Sequence, residues 1–468
     1  MLILAKLYSS LNIYQQSHYN IKDYLKYYSN NIIFYFLIPL LISLLYFINH
    51  YLFIVLDLYS LLFFIFKVKL KFTKRVLKII ILSFLLFPIL LIPYCLFIFI
   101  FFEFLLIPIY LIEYYFIEYP RVKKTITKAK NKINNYDGTI IGVVGSAGKT
   151  TTKNFIADIF HSIKTPKSYN TLLGISNYIN DTYLYTDNVV IEMGISKIND
   201  MDSLVELVKP KVVFLTNILP MHIDGLKNID VIYQEKIKAF KYANVSVCNF
   251  ESEYIRNNFS NPTISYGFNH GDYRAKNINN NNFDLFYKNN YITTIYSNCN
   301  SKLEILDLLG VLAYYHYLGK DFNNIKLELL NLFHEKNRLE IKGNNKHIIL
   351  DDSYNSNILG FKEALKKNSI NGRRILITPG IVELGIYNKE INKELALYIA
   401  GYIDDAIIVA NKRLYLELKK YQINVYNVIS FKEGYKLYKK IMSNYEKTSL
   451  LIENDLPDIY RRRLFIWI

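Results

Sequence analysis

Apolar positions follow two regimes along this chain. From residue 32 to 118, apart from one basic loop, almost every position is Leu, Ile, Phe or Tyr, whereas from residue 134 onward apolar and polar residues mix as in an ordinary globular sequence. The first apolar run, Ile32 to Phe66, is broken mainly by Pro39, Asn49, His50 and Asp57. The second, Ile79 to Tyr119, is broken by Pro88, Pro93, Glu103, Pro108, Glu113 and Glu118. A bilayer-spanning helix needs about 20 apolar residues or a few fewer, so each run has room for two short crossings. The pattern predicts an N-terminal segment, 1–31, followed by about four transmembrane helices across 32–119. The second run reads as two helices or as one hairpin lying partly in the membrane. In the globular part, Thr139–Val144 is a β-rich run, a glycine-rich turn follows it, and Lys153 to Ile163 is helix-compatible. Strand, turn and helix in that order announce an α/β domain.

Length and charge refine this picture. At 468 residues the chain is too long for one core, and about three domains are expected. A formal net charge of +16 raises the question of nucleic acid, whose phosphates attract basic proteins. The distribution argues against it. Six of the 56 basic residues lie between Lys67 and Lys78 and six more between Arg121 and Lys132, and both clusters flank apolar runs. Positive charge there is a topology signal. Both clusters are expected in the cytoplasm, which requires an even number of crossings between them, and Lys22 and Lys26 favour a cytoplasmic start. The expectation is a multi-pass protein of the cytoplasmic membrane, with the bilayer as a partner, no nucleic acid partner, and catalytic domains in the cytoplasm. A polar stretch precedes the first run and no small-residue cleavage site follows, so it is not a cleaved signal. Asp57 and Glu103 fall at membrane depth, where charge is costly and often functional, although a helix end or kink accommodates either. Cys95, Cys248 and Cys299 form no metal spacing, which fits a reducing compartment.

The turn after Val144 carries chemistry. Gly145, Ser146, Ala147, Gly148, Lys149, Thr150 and Thr151 stand between the strand and the helix, the context in which a glycine-rich string cradles phosphates. Glycines let backbone amides approach the phosphates, and a helix N-terminus adds positive potential. Lys149 is placed to neutralise the β- and γ-phosphates, and the Thr150 hydroxyl to coordinate Mg²⁺. The spacing departs from the strict phosphate-loop pattern because Val143 stands where a glycine is expected.

Further motifs follow in order. Ser168 to Gly174 holds Asn170; Val189 to Gly194 ends a β-rich run on Glu192; Val212 to Asn217 is a strand-like run before Met221 and His222. Lys236 lies fourteen residues beyond His222, and Arg338, the Asp351 to Asn357 segment and the Thr378 to Gly385 segment come later. Together these motifs resemble the Mur ligase family over about residues 137–460. The apolar runs give an α-helical transmembrane N-terminal region, which stands where typical family members carry a uridine-nucleotide-binding domain; the resemblance implies two α/β domains after it, a phosphate-loop central domain (137–336, after a basic linker at 120–136) and a Rossmann-like C-terminal domain (337–468). It implies ATP and Mg²⁺ as cofactors, with Thr150 and Glu192 on one metal, and His222 and a carbamylated Lys236 on a second. Lys238 competes with Lys236, two residues on and on a different helix face. Arg338 and Asp352 are implied to contact ATP as the last domain closes; an interdomain salt bridge between them is the plainer reading. Taken singly, Glu192 also reads as an acid capping a loop and His222 as structural.

The implied reaction is amide-bond formation on a cell-wall peptide precursor through an acyl phosphate, with Lys149, Lys236 and His222 in catalytic roles. The two C-terminal motifs favour the branch that adds D-alanyl-D-alanine to UDP-N-acetylmuramoyl-tripeptide. A lipid-linked or pseudomurein-type precursor is the alternative within the family; a membrane phosphate-loop ATPase or transporter, or an inactive scaffold, are the alternatives outside it. Several positions depart from the family. Leu303 and Asp307 stand where it has a histidine and an adenine-holding asparagine, and Asp307 accepts but does not donate. Ile358 replaces a proline, Ile195 to Asp200 replaces an acidic loop, and Glu453 to Asp458 replaces Lys-Gly-Ser. No residue here reads as a uridine-nucleotide site.

Overall fold

The structure is a computed structural model that describes residues 2–17, 19–31, 70–90, 106–166, 169–221, 223–279, 282–334, 340–353, 357–368, 372–381 and 384–454. It divides into two compact units, residues 1–124 with 456–468 and residues 125–455.

The described part of the first unit is helical, with helices Leu2–Gln16, Ile21–Asn30 and Lys74–Leu90 and a π-helical turn Glu113–Glu118. Tyrosines form its centre: Tyr14 stacks on Tyr110 at 3.9 Å between ring centroids, and the Ser10 hydroxyl bonds Tyr110 Oη at 2.8 Å. The expected transmembrane region is overturned. Among the described residues no helix is long and apolar enough to cross a membrane. Lys74–Leu90 has 17 residues, about 26 Å of helix against a hydrocarbon core of ~30 Å, and its first turns carry Lys74, Arg75 and Lys78. Glu113 and Glu118, which interrupt the second apolar run, are ion-paired: Arg75 Nη2 lies 2.9 Å from Glu113 Oε2, and Arg121 Nη2 lies 2.6 Å from Glu118 Oε1. Residues 32–69 and 91–105, with Asp57, Cys95 and Glu103, lie outside the described residues. The multi-pass membrane placement and the bilayer partner rested on those crossings and fall with them. The basic stretch expected as a linker is part of a helix, Tyr119–Asn134, whose Ala129 and Ile133 are buried.

The described residues of the second unit form two sheets. The first contains β1 (Thr139–Val144), β2 (Ile163–Lys164), β3 (Asn188–Glu192), β4 (Val212–Leu215), β5 (Val245–Asn249), β6 (Ile264–Gly267), β7 (Tyr273–Lys276), β8 (Asn282–Tyr287) and β9 (Asn290–Tyr296). Their order is β2-β3-β1-β4-β5-β6-β7-β8-β9, parallel from β2 to β7 and antiparallel from β7 to β9. Both faces are covered, as parallel sheets require. Ile141, Val143, Val190 and Phe214 face one core, shared with the helix Lys302–Tyr317; Ile140, Val144, Val189, Ile191, Val213 and Leu215 face the other. The period of two along each strand sorts them.

The second sheet contains β10 (Glu340–Gly343), β11 (His347–Asp352), β12 (Arg373–Thr378), β13 (Asp405–Val409), β14 (Asn424–Val428) and β15 (Thr448–Glu453), in the order β10-β11-β15-β12-β13-β14. Only β10 runs antiparallel to its neighbour. Cys248 and Cys299 are buried free thiols. In the first sheet the strand order reverses at β1: the chain leaves it for β2 and β3 on one side and returns to β4 on the other. A crevice opens at the carboxyl ends of strands at such a reversal.

Phe214 is fully buried on β4 and meets Tyr314 edge-on at 5.7 Å. Phe214→Ala is expected to cost about 3–5 kcal/mol of unfolding free energy through lost transfer energy and a residual cavity, read from the urea midpoint.

Candidate active site

The crevice is occupied by the glycine loop. The helix after β1 spans Lys149–Ile159, four residues earlier at each end than the sequence pattern suggests. Its start is set by Gly148 at φ 81°, a left-handed conformation that ends the loop, and just beyond its end His161 has φ 49°. Gly145 also has a positive φ, and a Cβ there would lie 2.0 Å from Thr216 Oγ1. The loop is tied to the end of β4: Ser146 N donates to the Asn217 carbonyl at 2.7 Å, and Ser146 Oγ bonds both the carbonyl and the amide of Leu219 at 3.0 Å. Thr216 Oγ1 donates to the Ala147 carbonyl, and Asn249 Nδ2 fixes the Thr216 carbonyl at 2.7 Å.

Glu192 ends β3 beside this loop, in register with Val143. It is 2 % exposed and fully engaged. Thr150 Oγ1 donates to its Oε2 at 2.9 Å, Lys153 Nζ reaches the same oxygen at 3.2 Å, and Asn170 Nδ2 donates to Oε1 at 3.2 Å. Burial alone raises a carboxyl pKa, but the charges of Lys149 and Lys153 and the Thr150 bond outweigh it, and the net shift is downward. The site thus holds an ionised, hard oxygen donor at the phosphate loop. Lys236, on the helix Ile229–Ile237, donates to the Gly145 carbonyl at 2.9 Å. Burial, then the nearby Lys149 charge, lowers its pKa well below the ordinary lysine value, while Glu192 opposes. Lys238, the competing candidate, points instead to Asp202 and Glu235 at 2.7 and 2.6 Å. Lys149 Nζ bends over the loop onto the carbonyls of Gly145 and Ser146, at 2.8 and 3.1 Å.

Two cavities flank the loop. One of about 660 Å³ is lined by Lys149, Thr150, Glu192, Lys236, Asn170 and Met221, among others. A smaller one of about 110 Å³ is lined by Ala147, Gly148, Thr151, Asp307, Asp352 and Asn357, among others. The structure therefore gathers Gly145 to Thr150, Glu192 and Lys236 around the larger cavity, and brings Thr151, Asp307 and Asp352 to the smaller one. His222 and Arg338 lie outside the described residues. Among the described residues no group of three His, Cys, Asp or Glu converges on a metal position. Three residues without a sequence-assigned role belong to the site: Lys153, Asn170, and Thr165, whose Oγ1 accepts from the Glu192 amide at 3.3 Å. The signal for Lys153 was available, since a lysine one turn after Lys149 shares its helix face.

A glycine loop at the switch point of a parallel sheet, with an ionised glutamate on the neighbouring strand, is the α/β architecture suited to holding a nucleotide's phosphates. Residues 143–311 match the family model of the Mur ligase middle domain. The UDP-N-acetylmuramoyl-tripeptide–D-alanyl-D-alanine ligases of Borreliella burgdorferi and Bacillus subtilis are similar to this chain, at 27 % identity over 282 residues and 26 % over 297. These alignments cover 54 % and 61 % of this chain, which spans only 58 % and 65 % of those relatives. Among solved structures, MurF from Acinetobacter baumannii has a TM-score of 0.64 at 19 % identity, covering 74 % of this chain and 79 % of that one. MurF from Thermotoga maritima in complex with ADP has 0.63 at 21 %, covering 74 % and 83 %. Both likenesses establish the fold.

Two variants probe the buried charges. Lys153→Ala leaves Glu192 without its closest cation and is expected to cost about 3–5 kcal/mol in a chemical unfolding titration. Lys236→Met is expected to raise the unfolding midpoint at neutral pH. The native amine holds its proton less readily than the unfolded chain does, so between its lowered pKa and 10.5 the unfolded state binds more protons and stability climbs with pH. Midpoints measured across that range should climb for the native protein and flatten for the variant.

Proposed function

We propose that this chain is an ATP-dependent amide ligase that joins D-alanyl-D-alanine to UDP-N-acetylmuramoyl-tripeptide through an acyl phosphate. The observation that carries the reading is the cluster at the loop: ionised Glu192 on Thr150, and the buried amine of Lys236 on Gly145. The precursor's terminal carboxylate oxygen attacks the γ-phosphorus of ATP and ADP leaves. The incoming amine then attacks the acyl carbon, losing a proton, and phosphate leaves. The names of the similar ligases support this choice of substrates.

In this reading the protein's task is alignment and charge compensation. Lys149 neutralises the β- and γ-phosphates. Thr150 and Glu192 supply oxygen donors of the kind Mg²⁺ prefers, and the bound ion contributes further neutralisation of the transferring phosphoryl group. Lys236, buried and electron-rich, is the type of amine that adds carbon dioxide to form a carbamate, which would turn it into an anionic ligand; His222 is proposed beside it. Gly145 to Thr151 hold the phosphates, and Asp307, Arg338 and Asp352 the rest of the nucleotide. We place the central domain at 137–336 and the C-terminal domain at 337–468. Their approach excludes water that would otherwise hydrolyse the acyl phosphate.

Phosphate release by the purified protein with ATP and Mg²⁺ tests this. Release should require both UDP-N-acetylmuramoyl-tripeptide and D-alanyl-D-alanine, and Lys149→Ala should lower it by at least about 100-fold, the scale seen when one transition-state charge partner is removed. Stimulation by neither substrate would refute the substrate assignment.

A further inference from the structure

Lys149, Thr150, Glu192 and Lys236 line the larger cavity, and in the ligase proposed above, on which this inference rests, they hold the γ-phosphate end of the nucleotide there. The acceptor's terminal carboxylate must lie in line with that phosphorus, so the last residue of the acceptor peptide takes the remainder of the same space. At about 660 Å³ the cavity has room for both.

The rest of the lining differs in character. Leu172, Leu173, Leu204, Leu226 and Ile232 give it apolar walls, suited to the aliphatic stem of a side chain with a charged tip. Of the four ionisable groups among the described lining residues, three are engaged at the glycine loop. Lys149 and Lys236 bond the Gly145 carbonyl at 2.8 and 2.9 Å, and Glu192 accepts from Thr150. The fourth is Asp200, the first residue of the helix Asp200–Val208. Its Oδ2 accepts from Ser196 N, Ser196 Oγ and Lys197 N at 2.9, 3.2 and 2.8 Å, while its Oδ1 accepts no hydrogen bond among the described residues.

The segment that carries Asp200 is pinned. Gly194 N donates to the Asn170 carbonyl at 2.9 Å, and Asn199 N donates to Glu235 Oε2 at 2.9 Å, beside Lys236 on the same helix. A Cβ on Gly225 would lie 2.0 Å from the Ser196 carbonyl oxygen. A helix N-terminus contributes roughly half a positive charge and the carboxylate a full negative one, so the sum at this wall is negative.

We infer that Asp200 selects the acceptor by the side chain of its last residue, favouring an aliphatic chain that ends in an ammonium with no carboxylate beside it, as lysine does. The stem lies along the apolar walls and the ammonium donates to Asp200 Oδ1. Diaminopimelate has the same reach but ends in an amine and a carboxylate on one carbon. That carboxylate meets Asp200 with like charge, and the two lysines of the lining are both engaged at the loop.

Steady-state phosphate release with ATP, Mg²⁺ and D-alanyl-D-alanine tests this on the purified full-length protein, with UDP-N-acetylmuramoyl-tripeptides ending in L-lysine or in meso-diaminopimelate as the two acceptors. The native kcat/KM should favour the lysine acceptor by at least about tenfold, the lower end of what a close charge pair across an interface contributes. Asp200→Asn keeps an acceptor oxygen for the 196–197 backbone and removes the charge. It should bring the two acceptors to near parity by raising KM for the lysine acceptor, with KM for ATP unchanged. Asp202 is exposed, pairs with Lys238 at 2.7 Å and does not line the cavity, so Asp202→Asn should leave the preference as it is. Equal use of the two acceptors, a preference for diaminopimelate, or a lysine preference that Asp200→Asn leaves intact or Asp202→Asn abolishes equally overturns the inference and leaves the ligase reading standing. Stimulation of the native protein by neither acceptor overturns both.

Discussion

Burying an ionised carboxylate at the end of β3 is the constraint around which this site is built. An uncompensated buried charge costs several kcal/mol, so the groups that surround Glu192 must arrive with it. They come from separate parts of the chain: Thr150 and Lys153 from the helix after β1, Asn170 from the segment before the next helix, and Thr165 from the end of β2. Their convergence fixes the position of the glycine loop relative to β3. It also fixes which face of the Lys149–Ile159 helix turns inward, because Lys153 is fully buried while it pairs with Glu192.

The loop is constrained from the other side by β4. Thr216 and Asn217 hold its backbone, and the closeness of Thr216 Oγ1 to Gly145 leaves no room for a side chain there. The two sides together divide the crevice. The lysines Lys149 and Lys236 gather toward β3 with Glu192, and the acids Glu304, Asp307, Asp352 and Glu363 line the smaller cavity. One consequence is mutual: each lysine disfavours the other's charge, and the loss falls on Lys236 because it is the more deeply buried. A buried amine with a lowered pKa is a reactive one.

Legibility in the sequence was uneven, for physical reasons that differ from element to element. Thr139–Val144 was readable as a strand and its turn as a phosphate loop because glycine spacing and β-rich composition are local properties. The start of the next helix was misplaced because a run of threonines has weak helix propensity, and Gly148 in a left-handed conformation begins the helix regardless. Lys153 shares a helix face with Lys149, but that spacing alone does not show that it is buried or which acid it meets. The apolar runs at 32–119 predicted membrane helices from composition, yet among the described residues acids within the second run pair with Arg75 and Arg121 and no helix is long and apolar enough to cross.

What the sequence determined by itself was the order of motifs and the chemical character of each: a glycine-rich loop between strand and helix, an acid at a strand end, a lysine fourteen residues past a histidine. These are set by spacing along the chain and by residue type. What only the tertiary structure decided was which of two lysines meets the loop, that Lys153 pairs with Glu192, and that Asp307 packs against Gly148 of the loop. Those outcomes depend on strands distant in sequence being brought side by side, since only burial and proximity in three dimensions fix which charges oppose one another.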